Sequence, residues 1–135
     1  MAAGYSVTPL AKKLGVKDGQ RTWHSGMPVS VLAEILESGL SPKMVNVPHA
    51  GLEMAHIFVT RRRELAEKLG RLRRVLAPDG TIWVSWPKKA SQVATEVTED
   101  VVREEALPLG FVDVKVCAVD AVWSGLKLVI RRSER

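Results

Sequence analysis

The run from Ala55 to Trp86 constrains this chain more than any other part of it. HIFVT reads as a short buried strand, and apolar side chains then recur at Leu65, Leu69, Leu72, Val75 and Leu76, the spacing of one helical stripe. The outer face of that helix sets Glu64 against Lys68 and Glu67 against Arg71, four residues apart, where opposite charges meet. Arg71, Arg73 and Arg74 fall near its C-terminus, where the helix dipole favours cations. Pro78-Asp79-Gly80 stops the helix and TIWVSW follows as a second strand. Strand, helix and strand joined in this way cross over right-handed, so the two strands are parallel.

The flanks repeat the alternation. Thr8-Pro9 reads as an N-cap with proline at the first helical position, opening a short helix through Leu14 that stops at Gly15. QRTWH reads as a strand, VSVLAEILES as a helix ended by Gly39, and KMVNV as another short strand. After Lys88 and Lys89, Thr98 is an N-cap with Glu99 and Asp100 in the positive first turn, and that helix ends before Pro108 and Gly110. FVDVKVCAVD and WSGLKLVIRR form an antiparallel hairpin. The predicted fold is therefore α/β and three-layered: a mostly parallel sheet of about six strands with a C-terminal antiparallel hairpin and helices on both faces. At 135 residues, 46% of them hydrophobic and 26% charged, the chain reads as a single globular domain over 1–135 rather than a disordered segment. No apolar run approaches the ~18 residues of a spanning helix, and MAAGYSVTPLAKK lacks the order of a secretory signal, which points to the cytoplasm and away from the membrane. Cys117, the only cysteine, allows no intrachain disulfide, fits a reducing compartment and reads as a core residue.

The run RELAEKLGRLRRVLAPDGTIWVSWPK resembles the helix, Pro-x-Gly turn and strand in the second half of class I methyltransferases. The helix and hairpin from Val97 to Arg132 suit that fold's C-terminal end, whose last strand is antiparallel. TPLAKKLG, WVSWPKK, TEDVVRE and VDVKVCAVDAVWSGLKLVIRR resemble, more closely, a small bacterial family of unknown function that is described as methyltransferase-like; the stretch from Arg21 to Met54 departs from it. The resemblance implies the fold and no reaction. Class I methyltransferases hold S-adenosylmethionine by a glycine-rich loop after the first strand and an acidic residue ending the second. Here Ser25-Gly26-Met27-Pro28 offers one glycine, KMVNV ends in Asn46 and Val47 without a carboxylate, and Glu53 is the nearest acid. A Cβ at a turn with φ > 0 costs roughly 1–2 kcal/mol, so the missing glycines matter. No cofactor is expected on this reading, with S-adenosylmethionine kept as the alternative.

In open parallel sheets, ligands bind beyond the carboxyl ends of the strands. The predicted elements put Arg61, Arg62 and Arg63 there after HIFVT, and Lys88 and Lys89 after WVSWP, with Lys12 and Lys13 joining if the first helix packs nearby. Helix N-termini face the same edge, so an anion is favoured; the competing reading is solvated charge at exposed loop ends. Trp86, Asp120, Trp123 and Ser124 read as the rim of that crevice, although a plain core role suits either tryptophan. Lys127 joins the rim candidates, pointing inward from the last strand to pair with Asp120 or Asp113, either as a structural ion pair or as a polar handle in the site. His24, His49 and His56 have no metal-ligand spacing, no G-x-S-x-G elbow is present, and no catalytic set stands out.

The reading is a non-enzymatic methyltransferase-like module that binds an anionic small molecule or a protein partner at the strand ends. The alternatives are an active S-adenosylmethionine-dependent methyltransferase with an atypical pocket, and a basic nucleic-acid-binding protein. The last rests on the net charge of +5 and pI of about 9.7 alone, without a recognition helix or aromatic platform. The sequence leaves the oligomeric state open.

Overall fold

The computed structural model describes residues 8–135, so the seven leading residues, read above for the absence of a secretory signal, lie outside the described part. Six strands form one sheet: β1 (Arg21–Ser25), β2 (Lys43–Met44), β3 (Leu52–Phe58), β4 (Leu76–Pro87), β5 (Phe111–Ala118) and β6 (Trp123–Ile130). Their order is β2-β1-β3-β4-β6-β5, and the first four are mutually parallel. β6 runs antiparallel to both β4 and β5, which makes the closing hairpin. The chain leaves β1 for β2 on one side, then returns past β1 to β3 on the other. The point where the strand order reverses therefore lies between β1 and β3.

Helices cover both faces, because a parallel strand buries both of its sides. On one face, α3 (Arg62–Val75) and α4 (Glu99–Ala106) pack Leu65, Leu69, Leu72, Val102 and Ala106 against the sheet residues Ile57, Val84 and Leu126. On the other, α1 (Leu10–Leu14) and α2 (Val29–Glu37) pack Leu10, Leu14, Val31 and Ile35 against Met54, Phe58 and Trp83. A five-residue helix has no independent stability in water. α1 persists because Leu10, Ala11 and Leu14 are buried, each leucine contributing about 1.5–3 kcal/mol, and because buried Trp83 donates its indole N–H to the Leu14 carbonyl at 2.8 Å. Gly15, in the left-handed region at φ 79°, then ends the helix.

Several boundaries differ from the sequence reading. β3 begins four residues before HIFVT and stops before Val59 and Thr60. α3 ends at Val75, three residues before Pro78, because Leu76 turns extended and buries itself opposite Leu52 of β3. Pro78 and Gly80 lie within the irregular start of β4, between its pairing at Leu76 and at Thr81, where a missing ladder donor is tolerated. KMVNV contributes only Lys43 and Met44, both exposed at the sheet edge. Proline 9, not Thr8, occupies the cap position of α1. Glu67 pairs with Arg63 at 3.2 Å rather than with Arg71, while Glu64 and Lys68 meet as expected at 3.2 Å. Thr98 caps α4, its hydroxyl accepting the Val101 N–H at 3.2 Å. No helix among the described residues is long and apolar enough to cross a membrane.

Candidate functional site

Arg61 follows β3 and Lys88 follows β4, and since these neighbours are parallel, the two cations emerge at the same end of the sheet. The reversal point between β1 and β3 opens on that edge. Its turn holds Gly26 at φ 70°, and a Cβ there would lie 2.9 Å from the Phe58 carbonyl oxygen and 3.4 Å from the Phe58 Cβ. The single glycine after β1 is thus required by the chain's own close approach to the end of β3. Met27 packs onto the α1/α2 core. Past β2, Asn46 is exposed, and its carbonyl accepts the Trp23 indole N–H at 3.2 Å. Glu53, the nearest acid, starts β3 at the opposite end, where it accepts the Arg21 backbone N–H at 2.9 Å. The glycine-rich cradle and the strand-end carboxylate that would hold S-adenosylmethionine in the usual way are not matched by these residues.

The expected cation cluster divides. Arg62 pairs with Glu104 at 2.9 Å and Glu105 at 2.6 Å, and the hydrogen bond to Glu105 holds its pKa above the ordinary arginine value. Its backbone N–H, the first of α3, donates to Glu96 at 3.0 Å, so the segment after β4 supplies the anion for that helix end. Arg63 is engaged by Glu67, and Lys13 donates to the Ala118 carbonyl at 3.2 Å. Arg62, Arg63 and Lys13 thus each have a partner within the chain. Arg61, Lys88, Lys89 and Lys12 make no side-chain hydrogen bond or ion pair among the described residues. Lys88 is anchored beside the hairpin turn, its backbone N–H donating to Val122 at 2.8 Å.

Of the expected rim residues, Trp123 keeps a place at the crevice, half-buried with its ring edge-on to Phe58 at 5.1 Å between centroids. Trp86 is corrected: its strand position turns it into the α3/α4 core, where it is buried. Asp120 is a turn residue, one carboxylate oxygen accepting the N–H groups of Val122 at 2.8 Å and Trp123 at 2.7 Å. Ser124 is a half-buried strand residue opposite Trp86. Lys127 is corrected most. It sits mid-strand opposite Trp83 and Lys115, and lines a cavity of about 270 Å³ at the amino end of the parallel strands with Lys17, Gln20, Glu53, Asp79 and Thr81. Its expected partner Asp113 is bound to Arg103 at 3.2 Å. Cys117 is half-buried against the α1/α2 core, and burial pushes its thiol pKa up.

One polar set was not visible in the sequence. His56 and Ser85 are both buried, with Nε2 and Oγ 2.7 Å apart, and the imidazole stacks on Phe58 at 4.3 Å. His24 stands directly opposite His56 on β1. Burial, and then the charge of His24, pushes the His56 pKa down to about 3, so the ring is neutral. No carboxylate completes a triad and Ser85 is closed to solvent, so the pair is a satisfied core element. Among the described residues no cluster of His, Cys, Asp and Glu could hold a metal.

No protein-family model matches the chain, and no curated protein does. Solved structures do. A SAM-dependent methyltransferase from Aquifex aeolicus superposes with a TM-score of 0.62 over 90% of this chain and 87% of its own, at 14% identity. A methyltransferase from Pyrococcus furiosus gives 0.56 over 88% and 78%, at 9% identity. Aeropyrum pernix fibrillarin, solved with S-adenosyl-L-methionine bound, gives 0.52 over 89% and 73%, at 15% identity. At such identities the likeness carries the fold, and the fold is methyltransferase-like.

Proposed function

We propose that this chain is a non-catalytic methyltransferase-like module that binds a small anionic ligand at the carboxyl edge of its sheet. The observation that carries the reading is the contrast at the point of strand reversal. The one glycine at the turn after β1, Gly26, is accounted for by the close approach of the Phe58 backbone, while Arg61, Lys88 and Lys89 crown the neighbouring strand ends without acidic partners among the described residues. Unpaired cations at adjacent strand ends attract anions over the ~10 Å reach of a charge at moderate salt. Trp123, half-buried and edge-on to Phe58, offers an aromatic surface beside them. A thermal-shift panel of phosphates and nucleotides at low salt tests this. Stabilisation that is lost in the Lys88→Ala, Lys89→Ala double variant is expected; no shift at millimolar ligand overturns the small-molecule reading.

The second reading is a S-adenosylmethionine-dependent methyltransferase with an atypical pocket, and the fold likeness to enzymes of that name favours it. Calorimetry with S-adenosylhomocysteine separates the two. Saturable heat supports the enzyme, and its absence at high protein concentration supports the module.

A further inference from the structure

α2 is apolar around more of its circumference than its place in the fold uses. Val31 and Ile35 are buried in the core shared with Met54, Phe58 and Trp83 of the sheet, a contact that needs an apolar stripe of about 100°. The apolar surface continues past it. Leu32 is half-buried, Ala33 is exposed, and Val29 and Leu36 are 83% and 56% exposed. Positions 29, 32, 33 and 36 have the spacing of a further stripe on the far side of the helix, and of its nine residues only Ser30, Glu34 and Glu37 are polar. Met44 carries apolar surface on to the free edge of the sheet. It stands opposite Thr22, which stands opposite Met54 of the α1/α2 core, so all three side chains lie on the α2 face. An exposed apolar stripe rimmed by polar residues marks a contact with another molecule.

The charges at the ends of α2 indicate what covers it. Pro28 at the cap position makes no side-chain bond and the first turn holds no acid, so the amides of Val29 and Ser30 have no acceptor within the helix, at the end where its dipole is positive. The last turn holds no base. Glu34 and Glu37 stand there instead, exposed and without an ion pair among the described residues, where the dipole is negative. Within one chain each end carries the wrong complement. A second copy lying antiparallel corrects both, because Glu37 of one helix then comes to the open amides of the other, twice by symmetry. The stripe fits the same arrangement, since 29, 32, 33 and 36 are spaced alike from either end: Val29 meets Leu36, and Leu32 meets Ala33.

We propose that α2 is a self-association surface, on which two copies of this chain pair their α2 helices antiparallel about a two-fold axis between Leu32 and Ala33. The pairing buries Val29, Leu32, Ala33 and Leu36 and sets Glu37 at the N-terminus of the opposite helix. A pair of nine-residue helices is smaller than a standard interface, so the dimer is weak and exchanges with monomer at micromolar concentration or above.

Sedimentation equilibrium of the full chain from micromolar to millimolar concentration is expected to show a monomer–dimer equilibrium. Leu36→Glu changes a side chain outside the monomer's core and should weaken the dimer about a hundredfold or more, because the seam loses Leu36 twice. Val29→Asp separates association from folding. Its new first-turn acid favours the isolated helix, so at low concentration the variant should melt no lower than the parent while its dimer weakens. Glu37→Lys should weaken the dimer about threefold to tenfold, and adding Ser30→Glu should recover it, since residues 30 and 37 of opposite copies then carry opposite charges. Val116→Asp, an exposed position on the far edge strand β5, should leave the equilibrium unchanged. A chain that stays monomeric at millimolar concentration overturns the proposal and leaves the stripe to a different protein. A dimer that survives both Leu36→Glu and Val29→Asp, or that Val116→Asp dissolves, overturns it as well, and indifference to Glu37→Lys overturns the antiparallel arrangement.

Discussion

Gly26→Ala distinguishes a glycine kept for packing from one kept for a cofactor. The methyl group enters at φ 70°, where a Cβ costs about 1 kcal/mol, and meets the Phe58 carbonyl oxygen at 2.9 Å. That oxygen is backbone at the end of a buried strand, so it cannot swing aside as a side-chain tip would; forced displacement of this kind costs a further 1–3 kcal/mol, roughly. The expected loss is about 3 kcal/mol. For a chain of this length that lowers the melting temperature by about 10 °C.

Gly15→Ala is the internal control. Gly15 has φ 79° and nothing within 4 Å of its ideal Cβ, so it carries the conformational cost alone, about 1 kcal/mol. Urea denaturation of the two variants at neutral pH should therefore separate them by about 2 kcal/mol, with unchanged slopes. Equal losses would refute the packing argument. Loss of S-adenosylhomocysteine binding with unchanged stability would refute it more directly, because the glycine would then be serving a ligand.

Three further outcomes follow from the core and from a helix cap. His56 has its pKa depressed from 6.5 to about 3, so the unfolded chain takes up the proton first; its contribution to stability is complete above pH 6.5 and is lost as pH falls toward 3. Urea midpoints should decline through that window by at most about 1.4 kcal/mol per pH unit from this group, and His56→Asn should flatten the decline. Trp83→Phe leaves the Leu14 carbonyl without its 2.8 Å donor and should cost about 2–3 kcal/mol, with faster hydrogen exchange in α1 before global unfolding. Thr98→Ala removes the cap of α4 and should cost about 1 kcal/mol by chemical denaturation, whereas Thr98→Asp should restore most of it.

The second half of the chain was legible because each of its signals is local. Leu65, Leu69 and Leu72 mark one stripe, Thr98 announces its own cap, and the alternation in β5 and β6 needs no distant partner to be seen. β2 was overread because KMVNV has strand composition, while its pairing to β1 extends only over Lys43 and Met44. Trp86 shows the limit of locality at the site. From sequence it ends a strand and could face either way; the register with Ser124 turns it into the α3/α4 core and leaves Ser85 and His56 on the opposite face. The fate of Arg62 depended on Glu96, Glu104 and Glu105, which lie more than thirty positions away and meet it only after β4 has been threaded. Side chains whose partners are distant in sequence carry no pattern by which to read them.

The distribution of charge gives the two ends of the sheet different chemistry. At the carboxyl edge the chain supplies much of the anion itself: Glu96 caps the first amide of α3, and Glu104 and Glu105 clamp Arg62. Only the cations beyond that clamp stay open, so any ligand there meets a rim without a deep cradle and should bind with the salt sensitivity of exposed charge. At the amino end, by contrast, Lys127 is half-buried, faces Lys115 across the strand pair, and lines a cavity together with Lys17, Asp18, Glu53 and Asp79.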